Sequence, residues 1–373
     1  MSLGKHIDHL FGLLQSVFNI QNRVVLVYHA YAAYLHLSTH LVDRKSQWAP
    51  WTQPRKSPGC NIFLKLENLQ PSGSFKSRGV GNLMVRAAAE APGADAHFYC
   101  SSGGNAGLAC ATSAIALDRR ATIVVPQTTS PLMMSKLRLL GADVVQQGEN
   151  WAQADRHLRE VLLANDPAGV YVPPFDHQHV WDGAATIIEE LAAQLPEVAL
   201  DAVVCSVGGG GLLNGLAQGV GEQARWAGRE PPRLVAVETR GADSLNASVR
   251  AGEHVTLPAI TSMAGSLGAV RVSARTWEVA RTTPGFRSVV VSDAEAATAC
   301  VRFVDDARIV VEMACGATLA VVYNGSLRKQ LGADMSDEEW AKQNVVLIVC
   351  GGSNVTMDIL DDYRAKFAGE VDW

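Results

Sequence analysis

The sequence predicts an α/β protein built on open, twisted and mostly parallel sheets. Short, nearly continuous apolar runs recur from Asn61 onward, and helical segments lie between them. Strands buried on both faces have this character, and dense strand–helix alternation is typical of parallel sheets. The predicted strands are Ile62–Leu66, Ala96–Ser101, Ala121–Val125, Val144–Gln146, Val170–Val172, Ala202–Ser206, Leu234–Glu238, Ser288–Val291 and Val345–Val349. One helix between them has a predicted start, with Ser130 as N-cap and Pro131 at its first position.

Composition supports a compact protein of one or two domains. The chain has 373 residues, of which 48% are hydrophobic and 18% charged, and its net charge of −5 argues against a nucleic-acid surface. No apolar stretch reaches the ~18 residues expected of a membrane span. The seven cysteines form no C-x-x-C pair, which predicts reduced thiols and a cytoplasmic location.

Residues 1–58 differ from the rest and receive no assignment. They are rich in His, Tyr and Trp, and residues 48–58 contain three prolines, which predicts a loop.

The most informative residue is Lys76, in the run P-S-G-S-F-K-S-R-G over residues 71–79. A lysine at the start of a helix is disfavoured as a cation by the helix dipole, which lowers its pKa toward the nucleophilic form. Such an amine is placed to form a Schiff base with an aldehyde cofactor. The alternative, a surface lysine on an amphipathic helix, stays open on this segment alone.

A first glycine-rich turn, S-S-G-G-N-A-G, follows a predicted strand over residues 101–107. Its backbone amides can hold a carboxylate, and the Asn105 side chain can bond a ring hydroxyl. An ordinary tight turn is the alternative.

The run V-G-G-G-G-L over residues 207–212 is a more specific signal for a binding site, because four glycines between a strand and a helix expose amides that can encircle a phosphate. No Gly-Lys-Ser/Thr follows and the G-x-G-x-x-G phasing is absent, so a monophosphate fits better than a nucleotide. In the last turn, C-G-G-S-N over 350–354, Cys350 can share a proton with a heterocyclic nitrogen. A buried cysteine acting as a small hydrophobe is the alternative there.

An aldehyde-reactive lysine, a carboxylate turn, a monophosphate site and a ring-nitrogen partner together describe a pyridoxal-phosphate site. The chain resembles the fold-type-II pyridoxal-phosphate enzymes, whose fold is that of the tryptophan synthase β-subunit, and most closely the catabolic L-serine dehydratases. The motifs that carry the resemblance occur in family order from Gly59 to the C-terminus: S-G-S-F-K-S-R-G, S-S-G-G-N-A-G, P-P-F-D, S-V-G-G-G-G-L and V-C-G-G-S-N. Before Gly59 we find no counterpart to the family.

The resemblance implies a role for each motif. Lys76 matches the Schiff-base lysine that also acts as general base, and Phe75 matches the residue that packs on the cofactor ring. Asn105 matches the partner of the ring 3-hydroxyl, and Cys350 the partner of the ring nitrogen. The phosphate site matches Gly208, Gly209, Gly210, Gly211 and Leu212, and the substrate-carboxylate loop matches Ser102, Gly103, Asn105 and Ala106.

A monovalent cation, potassium, is also implied beside the phosphate site. Its matching ligands are the Glu238 side chain and the backbone carbonyls of Gly208, Ala242, Leu267 and Ala269. The alternative for Glu238 is a solvated acid at the end of a strand. The family's architecture implies a small domain over residues 70–177 inserted into a large domain of residues 59–69 and 178–373, in a homodimer.

The implied reaction is β-elimination of water from L-serine, and from L-threonine, giving pyruvate or 2-oxobutanoate and ammonia. Serine racemases that resemble this chain have a serine where it has Gly103, and that hydroxyl exchanges a proton on the cofactor face opposite the lysine. Gly103 therefore favours elimination, as does a neutral partner such as Cys350, which makes the ring a weaker electron sink. The alternatives are a racemase, a β-replacement enzyme of the same fold, or a catalytically weak pyridoxal-phosphate-binding protein.

Overall fold

The computed structural model describes residues 41–43, 58–90, 95–223 and 230–373. The strands are β1 Leu41–Asp43, β2 Asn61–Leu66, β3 His97–Cys100, β4 Arg120–Val125, β5 Asp143–Gln146, β6 Gly169–Tyr171, β7 Ala202–Ser206, β8 Arg233–Thr239, β9 Arg287–Val291 and β10 Asn344–Val349. The α-helices are α1 Lys76–Glu90, α2 Asn105–Leu117, α3 Pro131–Leu139, α4 Trp151–His157, α5 Gln178–Gln194, α6 Gly211–Glu222, α7 Ser244–Ala251, α8 Ala274–Thr282, α9 Asp293–Ala307, α10 Met313–Tyr323, α11 Ser326–Leu331, α12 Asp337–Trp340 and α13 Met357–Lys366.

All nine predicted strands are confirmed, with each boundary within one residue of its predicted position. The predicted start of α3 is also confirmed, because the Ser130 side chain accepts the backbone N–H of Met133 and Pro131 is the first helical residue. Strand β1 was not predicted, and it lies in the segment that the sequence left unassigned. The loop predicted over residues 48–58 lies outside the described residues, apart from Pro58.

Two sheets organise the described chain. The larger has the strand order β1-β2-β10-β7-β8-β9, and its pairs are parallel except for β1 with β2. The smaller is fully parallel, in the order β5-β4-β3-β6. Strands β7 and β10 lie inside the larger sheet and are buried along almost their whole length, which explains their continuous apolar sequences.

A buried ionic network fixes the start of helix α1. The Arg78 guanidinium donates to both carboxylate oxygens of Glu67, at 2.7 and 2.8 Å, and to both of Glu190, each at 2.7 Å. Lys65 also pairs with Glu190. Removing one member of such a network leaves a buried charge without its partner, at a cost of about 3–5 kcal/mol. Because Arg78 is two residues from Lys76, the network also sets the position of that lysine.

Candidate active site

The carboxyl ends of strands β3, β7 and β10 and the first turn of α1 border a cavity of about 820 Å³. Ligands of open α/β sheets bind at this edge. The residues predicted for the site that line the cavity are Phe75, Lys76, Ser102, Gly103, Asn105, Ala106, Gly208, Gly209, Gly210, Gly211, Leu212, Leu267, Ala269 and Cys350. Glu238 and Ala242 are not among the lining residues, and both are buried beneath the surface.

Lys76 is the first residue of helix α1, as predicted. Its amine donates a hydrogen bond to the carbonyl oxygen of Pro174 and lies 5.2 Å from the ring centroid of Phe75. Burial lowers the pKa of Lys76 to about 8, because the charged amine loses its hydration. Desolvation is therefore the main cause of the lowered pKa that the sequence predicted from the helix dipole. About half of these amines are neutral at pH 8, compared with under ~1% for an ordinary lysine. The site therefore holds a nucleophilic amine near neutral pH.

The glycine turn after strand β7 leads directly into helix α6. Gly210 has a φ of +98°, a conformation that side chains rarely adopt, and a Cβ there would overlap Thr276. A Cβ at Gly209 would overlap the Phe175 ring. The first N–H groups of α6 have no acceptor within the helix, which suits this turn at the cavity wall to an anion.

The S-S-G-G-N-A-G turn over residues 101–107 places the N-terminus of helix α2 at the cavity. The Ser102 hydroxyl accepts the N–H of Gly104 at 3.2 Å, inside the turn. Asn105 opens the helix and is held at both ends of its amide: Nδ2 donates to Glu312 at 2.7 Å, and Oδ1 accepts the N–H of Ser353 at 3.0 Å. Asn105 thus joins α2 to two segments of the chain that lie more than two hundred residues further along.

Cys350 directly follows strand β10 and is 5% exposed. Its Sγ lies 3.5 Å from the Ser206 hydroxyl, which comes from the neighbouring strand β7. The thiol therefore lies at the cavity between the ends of two neighbouring strands, within electrostatic range of the Lys76 amine.

Glu238 is fully buried, which excludes the solvated alternative for this residue. Its two carboxylate oxygens accept the N–H groups of Leu245 at 2.8 Å and Asn246 at 2.7 Å, at the start of helix α7. Burial raises the pKa of Glu238 to about 8, against the effect of these two hydrogen bonds. Within the described ranges no ion pair reaches Glu238, and no group of three or more His, Cys, Asp or Glu side chains is arranged to hold a metal ion.

Comparison with known proteins identifies the family. The chain matches the family model described as "Pyridoxal-phosphate dependent enzyme" over residues 46–351. It belongs to that family. The match begins at residue 46, ahead of Gly59, where the motifs that carry the resemblance start.

Relatives and solved structures of this family are similar over most of the chain. L-serine dehydratase/L-threonine deaminase of Bos taurus is 45% identical over 302 residues, covering 81% of this chain and 89% of that protein. L-serine dehydratase of Saccharomyces cerevisiae (strain AWRI1631) is 40% identical over 310 residues, covering 80% and 89%. The crystal structure of a fungal L-serine ammonia-lyase from Rhizomucor miehei superposes with a TM-score of 0.78 at 36% identity, covering 88% of this chain and 98% of that one.

The residues of this cavity fit the cofactor that gives the family its name. The glycine turn has no room for a Cβ at positions 209 and 210, it lines the cavity, and it opens helix α6, whose first N–H groups suit one phosphate. An amine of lowered pKa lies in the same cavity, as attachment of an aldehyde requires.

Several residues that line this cavity were not predicted from the sequence, among them Thr129, Phe175 and Glu312. Phe175 is part of the P-P-F-D motif, which identified the family without revealing a contact. Glu312 was detectable as a single acid between an apolar run and a helix of small residues. Thr129 follows strand β4 in a loop with no distinguishing pattern. In the described part of the chain, no helix has the length and apolarity to cross a bilayer.

Proposed function

We propose that this enzyme eliminates water from L-serine, and from L-threonine, giving pyruvate or 2-oxobutanoate and ammonia. The observation that carries the proposal is a lysine of lowered pKa in one cavity with a helix N-terminus suited to a carboxylate and a glycine turn suited to a phosphate. The names of the Bos taurus and Saccharomyces cerevisiae relatives support the same reaction.

The chain's own residues divide the work. Pyridoxal phosphate, when bound, supplies the electron sink that makes the Cα–H bond of an amino acid acidic. The neutral Lys76 amine takes the Cα proton as general base. Asn105 would hold the ring oxygen and Cys350 the ring nitrogen, while Phe75 would pack on the ring. Backbone N–H groups would hold the two anions. The N–H groups of residues 208–212 would bind the phosphate, and the substrate carboxylate would be bound by those of Ser102, Gly103, Asn105 and Ala106.

The experiment that tests this function measures both products. Purified enzyme with pyridoxal phosphate and L-serine should release pyruvate and ammonia in equal amounts, detected by coupled reduction of the keto acid and by an ammonia assay. A β-replacement enzyme would instead need an added nucleophile, and a binding protein would give neither product. Absence of pyruvate from L-serine at any substrate concentration would refute the proposal.

We expect pyruvate with negligible D-serine, because Gly103 offers no hydroxyl on the cofactor face opposite Lys76. A Cβ at this position would lie 2.7 Å from Cγ2 and 3.0 Å from Oγ1 of Thr129. Thr129 thus fills the space that a side chain at 103 needs, and its hydroxyl is the group that could serve as an alternative donor. Chiral chromatography of the products decides between the two outcomes.

The Thr129→Ala variant is the control for this prediction. It should leave the ratio of pyruvate to D-serine unchanged. D-serine forming at a rate comparable to pyruvate would contradict the argument from Gly103, and loss of that D-serine in Thr129→Ala would identify the second proton donor.

We also propose that potassium binds beside the phosphate site through Glu238. The support is a fully buried carboxylate without a cationic partner in the described chain, close to the glycine turn. A Cβ at Gly208 would lie 3.1 Å from the Cα of Leu267, so the two segments that would supply carbonyls are in contact. The carbonyl of Ala269 lies 2.9 Å from the Ser244 hydroxyl, which places it by the start of helix α7, where Glu238 also binds.

Activity should therefore rise with potassium and fall in buffers that contain only sodium or lithium, because the ligand set that the family resemblance implies is one for potassium. Glu238→Ala should remove the dependence. Glu278→Ala, which alters an exposed acid on helix α8, should keep it. Equal rates of the wild type in all three salts would refute the cation site.

The proposal also covers the domain organisation, the cellular location and the oligomeric state. We propose a small domain of residues 70–177 inserted into a large domain of residues 59–69 and 178–373, supported by the separation of the strands into two sheets. A cytoplasmic location is supported by seven cysteines without a disulfide. We propose a homodimer on family resemblance; a monomer mass by light scattering would refute it.

A further inference from the structure

Glu312 is a buried acid at the cavity to which the proposed reaction gives no task. It immediately precedes helix α10, is 5% exposed, and lines the cavity. Its side chain does not cap the helix. Instead Oε1 accepts a hydrogen bond from Nδ2 of Asn105 at 2.7 Å, and Oε2 receives the N–H of Asn354 at 3.4 Å. Burial raises the pKa of Glu312, and hydrogen bonds to the carboxylate oppose that shift.

The contacts of Asn105 determine which way its amide faces. The Glu312 carboxylate can only accept hydrogen bonds, so the amide nitrogen of Asn105 must face it. The N–H of Ser353 needs an acceptor, so the amide oxygen of Asn105 faces Ser353. A rotation of the Asn105 amide by 180° would place its oxygen against the Glu312 carboxylate and its nitrogen against the N–H of Ser353. The amide nitrogen carries two hydrogens, and Glu312 takes one. The second is then fixed in direction by the plane of the amide.

We propose that Glu312 is a positioning residue that acts through Asn105: it fixes the Asn105 amide so that the second hydrogen is donated to the cofactor's ring oxygen. This inference rests on the proposed role of Asn105 as partner of the ring 3-hydroxyl. A carboxylate suits the task because hydrogen bonds to an ionised acceptor are shorter and roughly twice as strong as neutral ones. The N-terminus of α10 and the hydrogen bonds favour the ionised form, whereas burial, the larger effect, raises the pKa of Glu312. Oε1 can accept the Asn105 amide hydrogen in either protonation state.

The test is a double-mutant cycle read by cofactor affinity. The dissociation constant of pyridoxal phosphate is measured by titrating apoprotein, for wild type, Glu312→Ala, Asn105→Ala and the double variant. Glu312→Ala should weaken binding by roughly 10-fold, within the range for directly coupled residues. In the Asn105→Ala background the same change should cost less than about twofold, because nothing remains to be positioned. Independent, multiplicative losses would overturn the proposal.

A cofactor analogue lacking the 3-hydroxyl separates positioning from a structural role. With 3-deoxypyridoxal phosphate the affinity of wild type and Glu312→Ala should be the same, whereas equal losses with both cofactors would overturn the inference. Glu312→Gln keeps the volume and one acceptor oxygen, so it should recover most of the affinity that Glu312→Ala loses. If the alanine variant does not fold, Glu312→Met, which keeps the side-chain length without an acceptor oxygen, takes its place in the cycle. Glu295→Gln is the matched control, since Glu295 accepts the Asn324 amide at 2.8 Å on helix α9 without lining the cavity.

The outcomes also distinguish this inference from the function on which it rests. If wild type binds pyridoxal phosphate without the visible absorbance of a lysine-bound cofactor, the proposed function fails. If wild type shows that absorbance and Asn105→Ala weakens cofactor binding while Glu312→Ala does not, only the role of Glu312 fails.

Discussion

Replacing Lys76 by alanine should lower pyruvate formation from L-serine by at least about 10³-fold, because the variant loses both the amine that attaches the cofactor and the general base. Lys76→Arg should be equally inactive, since a guanidinium stays protonated throughout the working pH range. The coupled pyruvate assay and the visible spectrum of each variant check this expectation.

The identity of the attached lysine is read directly by borohydride reduction of the wild type followed by peptide mapping. The label should be found on Lys76, whose burial lowers its pKa to about 8. Lys65, which is buried against Glu190, serves as the internal comparison. Labelling of Lys65 or Lys136 in place of Lys76 would contradict the assignment.

The second large effect is expected at Gly210. Gly210→Ala should weaken pyridoxal phosphate binding by about 100-fold or more. The left-handed φ of +98° is strained for alanine, and its Cβ would overlap Thr276, so the turn must move away from the phosphate position. Backbone strain and overpacking each cost about 1–3 kcal/mol. Titration of apoprotein with the cofactor measures the loss.

Gly221→Ala is the matched control, on the same helix α6. No atom lies within 4 Å of a Cβ built at Gly221, and alanine in a helix is favoured over glycine by about 0.5–1 kcal/mol. This variant should bind the cofactor like wild type and unfold at a slightly higher temperature. Wild-type affinity in Gly210→Ala would mean that the turn does not bind the phosphate.

The sequence predicts the strands well because most of them are central in a sheet. Ala202–Ser206 is buried at every position, so its composition shows the strand without further information. Strand β1 is an edge strand of three residues, too short to display a pattern. The order of strands was also inaccessible, since β10 lies between β2 and β7, which precede it by well over a hundred residues.

Some residues of the candidate site could likewise be predicted from the sequence, and others could not. Lys76, Asn105 and the glycines of the turn lie in local motifs whose chemistry depends on neighbouring residues in sequence, and the structure brings them to one cavity. Glu312 and Thr129 acquire their contacts only through the fold: Glu312 meets Asn105 across 207 positions, and Thr129 meets Gly103 from another strand–helix loop. Burial, which lowers the pKa of Lys76, is likewise a property of the assembled fold.

The most direct test of the proposed function is the visible spectrum of the purified enzyme with pyridoxal phosphate, recorded before and after addition of L-serine. The wild type should show the absorbance of a lysine-bound cofactor, and Lys76→Ala should lack it. L-serine should perturb the spectrum at once, and the original spectrum should return as pyruvate accumulates and the substrate is consumed. A wild-type spectrum identical to that of free cofactor, or a lysine-bound spectrum that L-serine leaves unchanged with no pyruvate formed, would contradict the assignment of this cavity as a serine-dehydrating site.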